Sequence, residues 1–134
     1  TSYAVDGVIT TAADTDIFTV DRSACTSDLT ATATGIGMGQ ALDIKLTVSG
    51  PGGVNVSDDP TSNQNSGTIP ATPTGMDATK TVANAAAGTW SITVEGVGVA
   101  GGSGYSDYGS RGQYHLAITG CASIPDVAPG PPTQ

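Results

Sequence analysis

The residues of this chain that could do chemistry are few, and each lacks a partner its chemistry needs. Gly96-Val97-Gly98-Val99-Ala100-Gly101 spells a GxGxxG string after an apolar run, the pattern that cradles a dinucleotide pyrophosphate when a helix N-terminus follows it. Gly102-Ser103-Gly104 comes next and cannot start a stable helix, so the string reads as a glycine loop. Ser103 invites a nucleophile reading, but a nucleophile elbow needs glycine two residues on, where Tyr105 stands. The single histidine, His115, alternates with Gln113, Ala117 and Thr119 on what should be the outer face of a strand. No carboxylate is fixed beside it by the sequence, so it has no orienting group for base catalysis. There is no HExxH helix to hold a peptidase zinc, and hydrolysis by this segment alone is not expected.

Acidic and aromatic residues offer the remaining candidates. Asp14 with Asp16, and Asp58 with Asp59, are carboxylates in loop or strand-end positions where extracellular sandwiches hold calcium. None has the ordered spacing of a dedicated calcium loop, and the same residue types form turns by bonding nearby backbone amides. Calcium is therefore the one cofactor to consider, with these four aspartates as its candidate ligands. Tyr105, Asp107, Tyr108 and Arg111 share the loop GYSDYGSRG and form the candidate ligand-binding set. Two rings three residues apart could anchor a polysaccharide or a fibrous protein, or could fold back and order the loop with an Asp107–Arg111 pair. With aromatics at 4% of the chain, a broad glycan-stacking platform cannot be built.

Composition narrows the partners. Twelve Asp and Glu against four Lys and Arg give a net charge of −8, which repels nucleic acid and anionic membrane surfaces. No apolar run approaches the roughly 20 residues that span a bilayer, and no leader pattern opens the sequence. The segment is expected to be a mature or excised domain, monomeric, of a longer protein. Its two cysteines, Cys25 and Cys121, both fall where strand signals stop. Paired, they would close nearly the whole domain and imply an oxidising compartment; unpaired, they would be two buried thiols.

The elements that must position these residues are strands. Nineteen glycines, eight prolines and a charged fraction of 12% suit short strands and turns within 134 residues. Strand signals run over 4–9, 16–20, 29–34, 42–48, 54–56, 79–82, 89–97 and 113–119. Leu42, Ile44, Leu46 and Val48 alternate with Asp43, Lys45 and Thr47, so the first set should face a core and the second solvent. Phe18 with Val20, Trp90 with Ile92 and Val94, and Tyr114 with Leu116 and Ile118 repeat the pattern. The expected fold is all-β, an antiparallel β-sandwich of jelly-roll type with about eight short strands. Ser49-Gly50-Pro51-Gly52-Gly53 predicts a tight connection, and 57–77 a long polar loop. The domain should occupy residues 1–122, with 123–134 a proline-rich linker or tail.

Three segments resemble the bacterial pre-peptidase C-terminal (PPC) domain family. They are Gly7-Val8-Ile9 with Asp14-Thr15-Asp16-Ile17-Phe18; Leu42-Asp43-Ile44-Lys45-Leu46 with Gly52-Gly53 and Asp58-Asp59; and Ala87-Gly88-Thr89-Trp90 through Gly104-Tyr105-Ser106-Asp107-Tyr108-Gly109-Ser110 to Gly112-Gln113-Tyr114. Trp90 stands where the family often has Tyr. The resemblance implies a jelly-roll sandwich, secreted and extracellular, attached to a catalytic domain and without chemistry of its own. Some relatives are removed after secretion, and others bind collagen or another insoluble substrate. Certain members bind calcium through an acidic N-terminal segment; Thr1 to Val5 holds no carboxylate, so that property does not carry over. The functional expectation is an accessory domain of a secreted peptidase that assists maturation, stability or substrate targeting. The parent's catalytic domain and an extracellular protein or polysaccharide substrate are the expected partners. A carbohydrate- or collagen-binding module and a structural spacer are the alternatives.

Overall fold

The computed structural model describes residues 2–9, 14–22, 25–36, 42–60, 76–96, 112–120 and 123–128. They form nine strands: β1 (Ser2–Ile9), β2 (Thr15–Asp21), β3 (Leu29–Gly35), β4 (Ile44–Gly50), β5 (Val54–Asp58), β6 (Ala78–Val82), β7 (Thr89–Gly96), β8 (Gly112–Thr119) and β9 (Ser123–Ala128). Two antiparallel sheets result, one of order β1-β8-β3-β6 and one of order β5-β4-β7-β2-β9. The pairing is nested. β4 pairs with β5 across the tight turn Pro51–Gly53, and outside it β3 pairs with β6, β2 with β7 and β1 with β8. Successive partners thus lie ever farther apart along the chain, and loop-closure cost is met before most contacts form.

Alternation explains the packing between the sheets. Phe18 and Val20 of β2, Ile44, Leu46 and Val48 of β4, and Trp90, Ile92 and Val94 of β7 are buried from one sheet. Leu29, Ala31 and Ala33 of β3 and Tyr114, Leu116 and Ile118 of β8 are buried from the other. Each fully buried large apolar side chain contributes about 1.5–3 kcal/mol, so this single interface is the source of stability. Trp90 is also fixed in direction, because its indole N–H donates to the Ala86 carbonyl at 2.9 Å. The outer faces carry hydroxyl ladders instead, such as Thr30 with Thr81 at 2.9 Å and Thr47 with Ser57 at 3.1 Å. β-branched threonine suits a pleated surface and stays wetted there.

Three sequence expectations are corrected. Asp43, expected to face solvent, is 2% exposed, because β4 begins at Ile44 and Asp43 lies before the alternating ladder starts. The ends of the polar stretch 57–77 are not loop: Ser57 and Asp58 extend β5, and Met76 is buried with its carbonyl accepting from Ile44 N at 2.9 Å, while 61–75 lie outside the described residues. The largest correction is β9. Residues 123–128, the first part of the 123–134 stretch read as a proline-rich linker or tail, pair antiparallel with β2, and a register shift between Thr19 and Asp21 marks an irregularity in the ladder. Pro125 lies within this edge strand, the place in a sheet where a residue without an N–H is tolerated.

Candidate functional site

β2 and β8 belong to different sheets and are joined at both ends by buried polar side chains. At the start of β2, Tyr114 of β8 donates its hydroxyl to Asp16 Oδ2 at 2.5 Å. Both residues are buried, as are Asp14 and Asp43. Burial, then the hydrogen bond to Asp16, then the charges of Asp16 and Asp14 push the Tyr114 phenol far above its ordinary value. The phenol therefore works here as a donor and stays protonated. Gly7 of β1 is the reason the ring fits, since a Cβ there would overlap the Tyr114 ring and hydroxyl.

Past the other end of β2 sits Arg22, 1% exposed. Its guanidinium donates to the carbonyls of Ala85 at 2.7 Å, Gly120 at 3.0 Å and Ser27 at 2.5 Å, and reaches Cys25 Sγ at 3.5 Å. The Arg22 backbone exchanges hydrogen bonds with Gly88, N to O at 2.9 Å and O from N at 3.3 Å. Burial lowers the Arg22 pKa and the Asp28 charge opposes that, yet a guanidinium remains cationic in protein interiors. Cys25 is disulfide-bonded, with Sγ 3.1 Å from the Ser27 hydroxyl and 3.8 Å from the Gly120 carbonyl. Gly120 has φ +109, and a Cβ on it would collide with the Asp28 carbonyl.

The acidic residues proposed as cation ligands are not one group. Asp16, Val94, Leu46 and Asp58 stand in register across β2, β7, β4 and β5. Three strand spacings of about 4.8 Å put Asp16 and Asp58 roughly 14 Å apart, so one ion cannot use both pairs. Asp58 Oδ2 accepts from Thr79 N at 2.8 Å, which ties the β5 edge of one sheet to the β6 edge of the other. Burial raises the Asp59 carboxyl, Lys45 lowers it and Asp58 raises it. Among the described residues no three His, Cys, Asp or Glu side chains come together as a metal site. Tyr105, Asp107, Tyr108, Arg111 and Cys121 lie outside the described residues, as do Ser103 and all of GxGxxG beyond Gly96.

One open cleft is formed by described residues on the outside of the β1-β8-β3 region. It measures about 350 Å³ and is lined by Asp6, Gly7, Val8, Ile36 and Gln113. His115 is exposed as its alternation predicts, and Asp6, directly opposite on β1, supplies the carboxylate the sequence did not reveal, with Nδ1 2.6 Å from Oδ1. Such a pair orients an imidazole. Catalysis would further need a hydroxyl or thiol held against the ring; Thr34, opposite His115 on β3, has an exposed hydroxyl, but the hydrogen bond observed at the ring is to Asp6 and not to Thr34. The arrangement is suited to binding at a polar wall with an apolar floor, Ile36 being 40% exposed. Arg22, Asp6 and Asp43 are the residues sequence reasoning missed. For Arg22 the available signal was a lone basic residue next to a strand end and a cysteine.

No family model matches the chain, and no curated protein does. Among solved structures, PliG from Aeromonas hydrophila, a periplasmic inhibitor of g-type lysozyme, is similar. It is 18% identical over 89% of this chain and 85% of that chain, with a TM-score of 0.48. A likeness of that extent decides neither activity nor partner.

Proposed function

We propose that the chain is a non-catalytic accessory domain of the PPC type, a jelly roll from a secreted bacterial protein, with a peptidase as the parent. The observation that carries the reading is the use made of the chain's ionisable groups. Asp16, Tyr114, Arg22, Asp28, Asp58 and Asp77 all hold strands or turns together. Side chains that could have done chemistry are spent on architecture. The nested pairing of β1 with β8 through β4 with β5 supports the jelly-roll description, since it is the wrap of one long folded hairpin. The disulfide-bonded Cys25 supports export, and a bridge to Cys121 is part of the proposal. Calcium belongs to it as a ligand of one aspartate pair; a melting midpoint unmoved between calcium and chelator removes it.

Deleting residues 1–128 from the parent tests the reading. Expected are a lower yield of secreted enzyme or weaker attack on insoluble substrate, with turnover of a small soluble substrate kept. A glycosidase domain in the parent, or turnover by the isolated domain, overturns it. The cleft beside Asp6 and Ile36 favours a second reading, a substrate-binding module. That reading expects retention of the isolated domain on a polysaccharide or collagen matrix, weakened by Tyr105→Ala, Tyr108→Ala or Asp6→Ala.

A further inference from the structure

β9 stands outside the closed pairing scheme. The eight strands β1 to β8 are all accounted for by nested partners, whereas β9 pairs with β2 alone and is itself a sheet edge. Its ladder is imperfect: Asp21 faces Ser123 and Thr19 faces Asp126, so two residues of β9 are spanned against one of β2. Pro125 is one of those two and has no N–H to give. Across from Ala128, Ile17 remains 41% exposed, one of the two large apolar side chains left exposed among the described residues.

The geometry points to the β2 edge as a strand-addition site for an extended segment of another protein, occupied in this structure by the chain's own β9. Main-chain bonds supply affinity in such additions, and alternate side chains supply selectivity. The β2 edge specifies that partner. Running antiparallel to β2 without a bulge, it would place residue n opposite Asp21 and residue n+4 opposite Ile17. A basic residue at n meets Asp21 and the net charge of −8, and valine or isoleucine at n+4 covers Ile17. Proline is excluded between them. A second copy's β9 has none of these advantages, because it brings the same proline and the same alanine. The chain's own strand holds its place through proximity: three residues separate β8 from β9, an effective concentration on the order of mM.

A fluorescein-labelled heptapeptide, Ser-Arg-Thr-Val-Thr-Ile-Ser, is the probe, with a scrambled peptide as control. It is titrated into the full chain and into a Val127→Pro chain, in which a second proline weakens β9; Asp126→Pro serves if the first variant melts without a cooperative transition. Expected are binding at least tenfold tighter to the proline variant than to the unmodified chain, a severalfold loss on adding Ile17→Thr, and slower amide exchange along β2 with peptide present. Equal binding to both chains, equal binding of the scrambled peptide, or no binding up to millimolar peptide overturns the proposal. A dimer that exchanges β9 between copies overturns it as well, in favour of self-association.

Discussion

The two ends of the β2–β8 contact do the same mechanical task with opposite chemistry. Along β2 they are separated by Asp16 to Arg22, roughly 20 Å of extended chain. At one end a buried cation is held by neutral carbonyls beside a disulfide; at the other, buried carboxylates meet a phenol. At the Arg22 end the guanidinium stays protonated and the disulfide does not titrate. The Tyr114 end is ionisable throughout. One end should therefore answer to redox conditions and the other to pH.

Breaking the Arg22 end should have the largest effect. Arg22→Met leaves the buried Ala85 carbonyl without its donor, at about 1–3 kcal/mol, and gives up the part-buried bonds to the Ser27 and Gly120 carbonyls, which water can replace in part, for a loss of about 3 kcal/mol. Reduction of the proposed Cys25–Cys121 bridge should cost about 4 kcal/mol in the chain-entropy account. Arg22 touches Cys25 Sγ, so the two losses should combine non-additively. Urea melts of both forms, oxidised and reduced, measure this; simple additivity would mean that the guanidinium and the bridge are independent.

Tyr114→Phe sharpens the contrast from the other end. Removing the hydroxyl leaves Asp16 buried without that donor and should cost about 2 kcal/mol. The pH response has a definite sign. A phenol whose folded pKa is raised above the unfolded value of about 10 contributes its stability fully below pH 10 and loses it as pH rises beyond. The unmodified chain should weaken above pH 10 through this group, and Tyr114→Phe should flatten that limb while leaving the redox response intact. An alkaline limb unchanged in the variant would place its cause elsewhere.

The two ends also differ in how far the sequence disclosed them. The first eight strands and the inward rows of Phe18, Leu46, Trp90 and Leu116 are legible because alternation is a local property with period two. Tyr114 was legible as an inward residue for the same reason. Its partner Asp16 was not, since the bond joins residues 98 apart and depends on sheet stacking. Arg22 lay outside every alternating run, so periodicity did not mark it as buried. Asp6 opposite His115 required the β1–β8 register, which no short stretch encodes. β9 failed for another reason: the proline-rich composition of 123–134 suits an extended chain but does not say whether a neighbouring edge captures it.

Smaller effects belong to links that lie between the two ends or on the surface. Asp58→Ala removes the acceptor for Thr79 N and should cost about 1 kcal/mol, loosening the β5 and β6 edges together. The clearest readout is faster amide exchange at Thr79 than at Thr32, its partner inside the sheet.

The smallest change should follow Asp6→Asn. The His115–Asp6 pair is short at 2.6 Å, but the side chains are 47% and 69% exposed, and water screens a contact of that kind to about 0.2–1 kcal/mol. Its loss should leave the melting midpoint within a degree or two, whereas Tyr114→Phe shifts it by several. If instead Asp6→Asn abolished retention on a matrix while stability held, the surface pair would be part of a binding site. A hydrogen bond on the sheet's wetted face would then serve recognition, and the buried ones at the two ends would serve only to keep that face in shape.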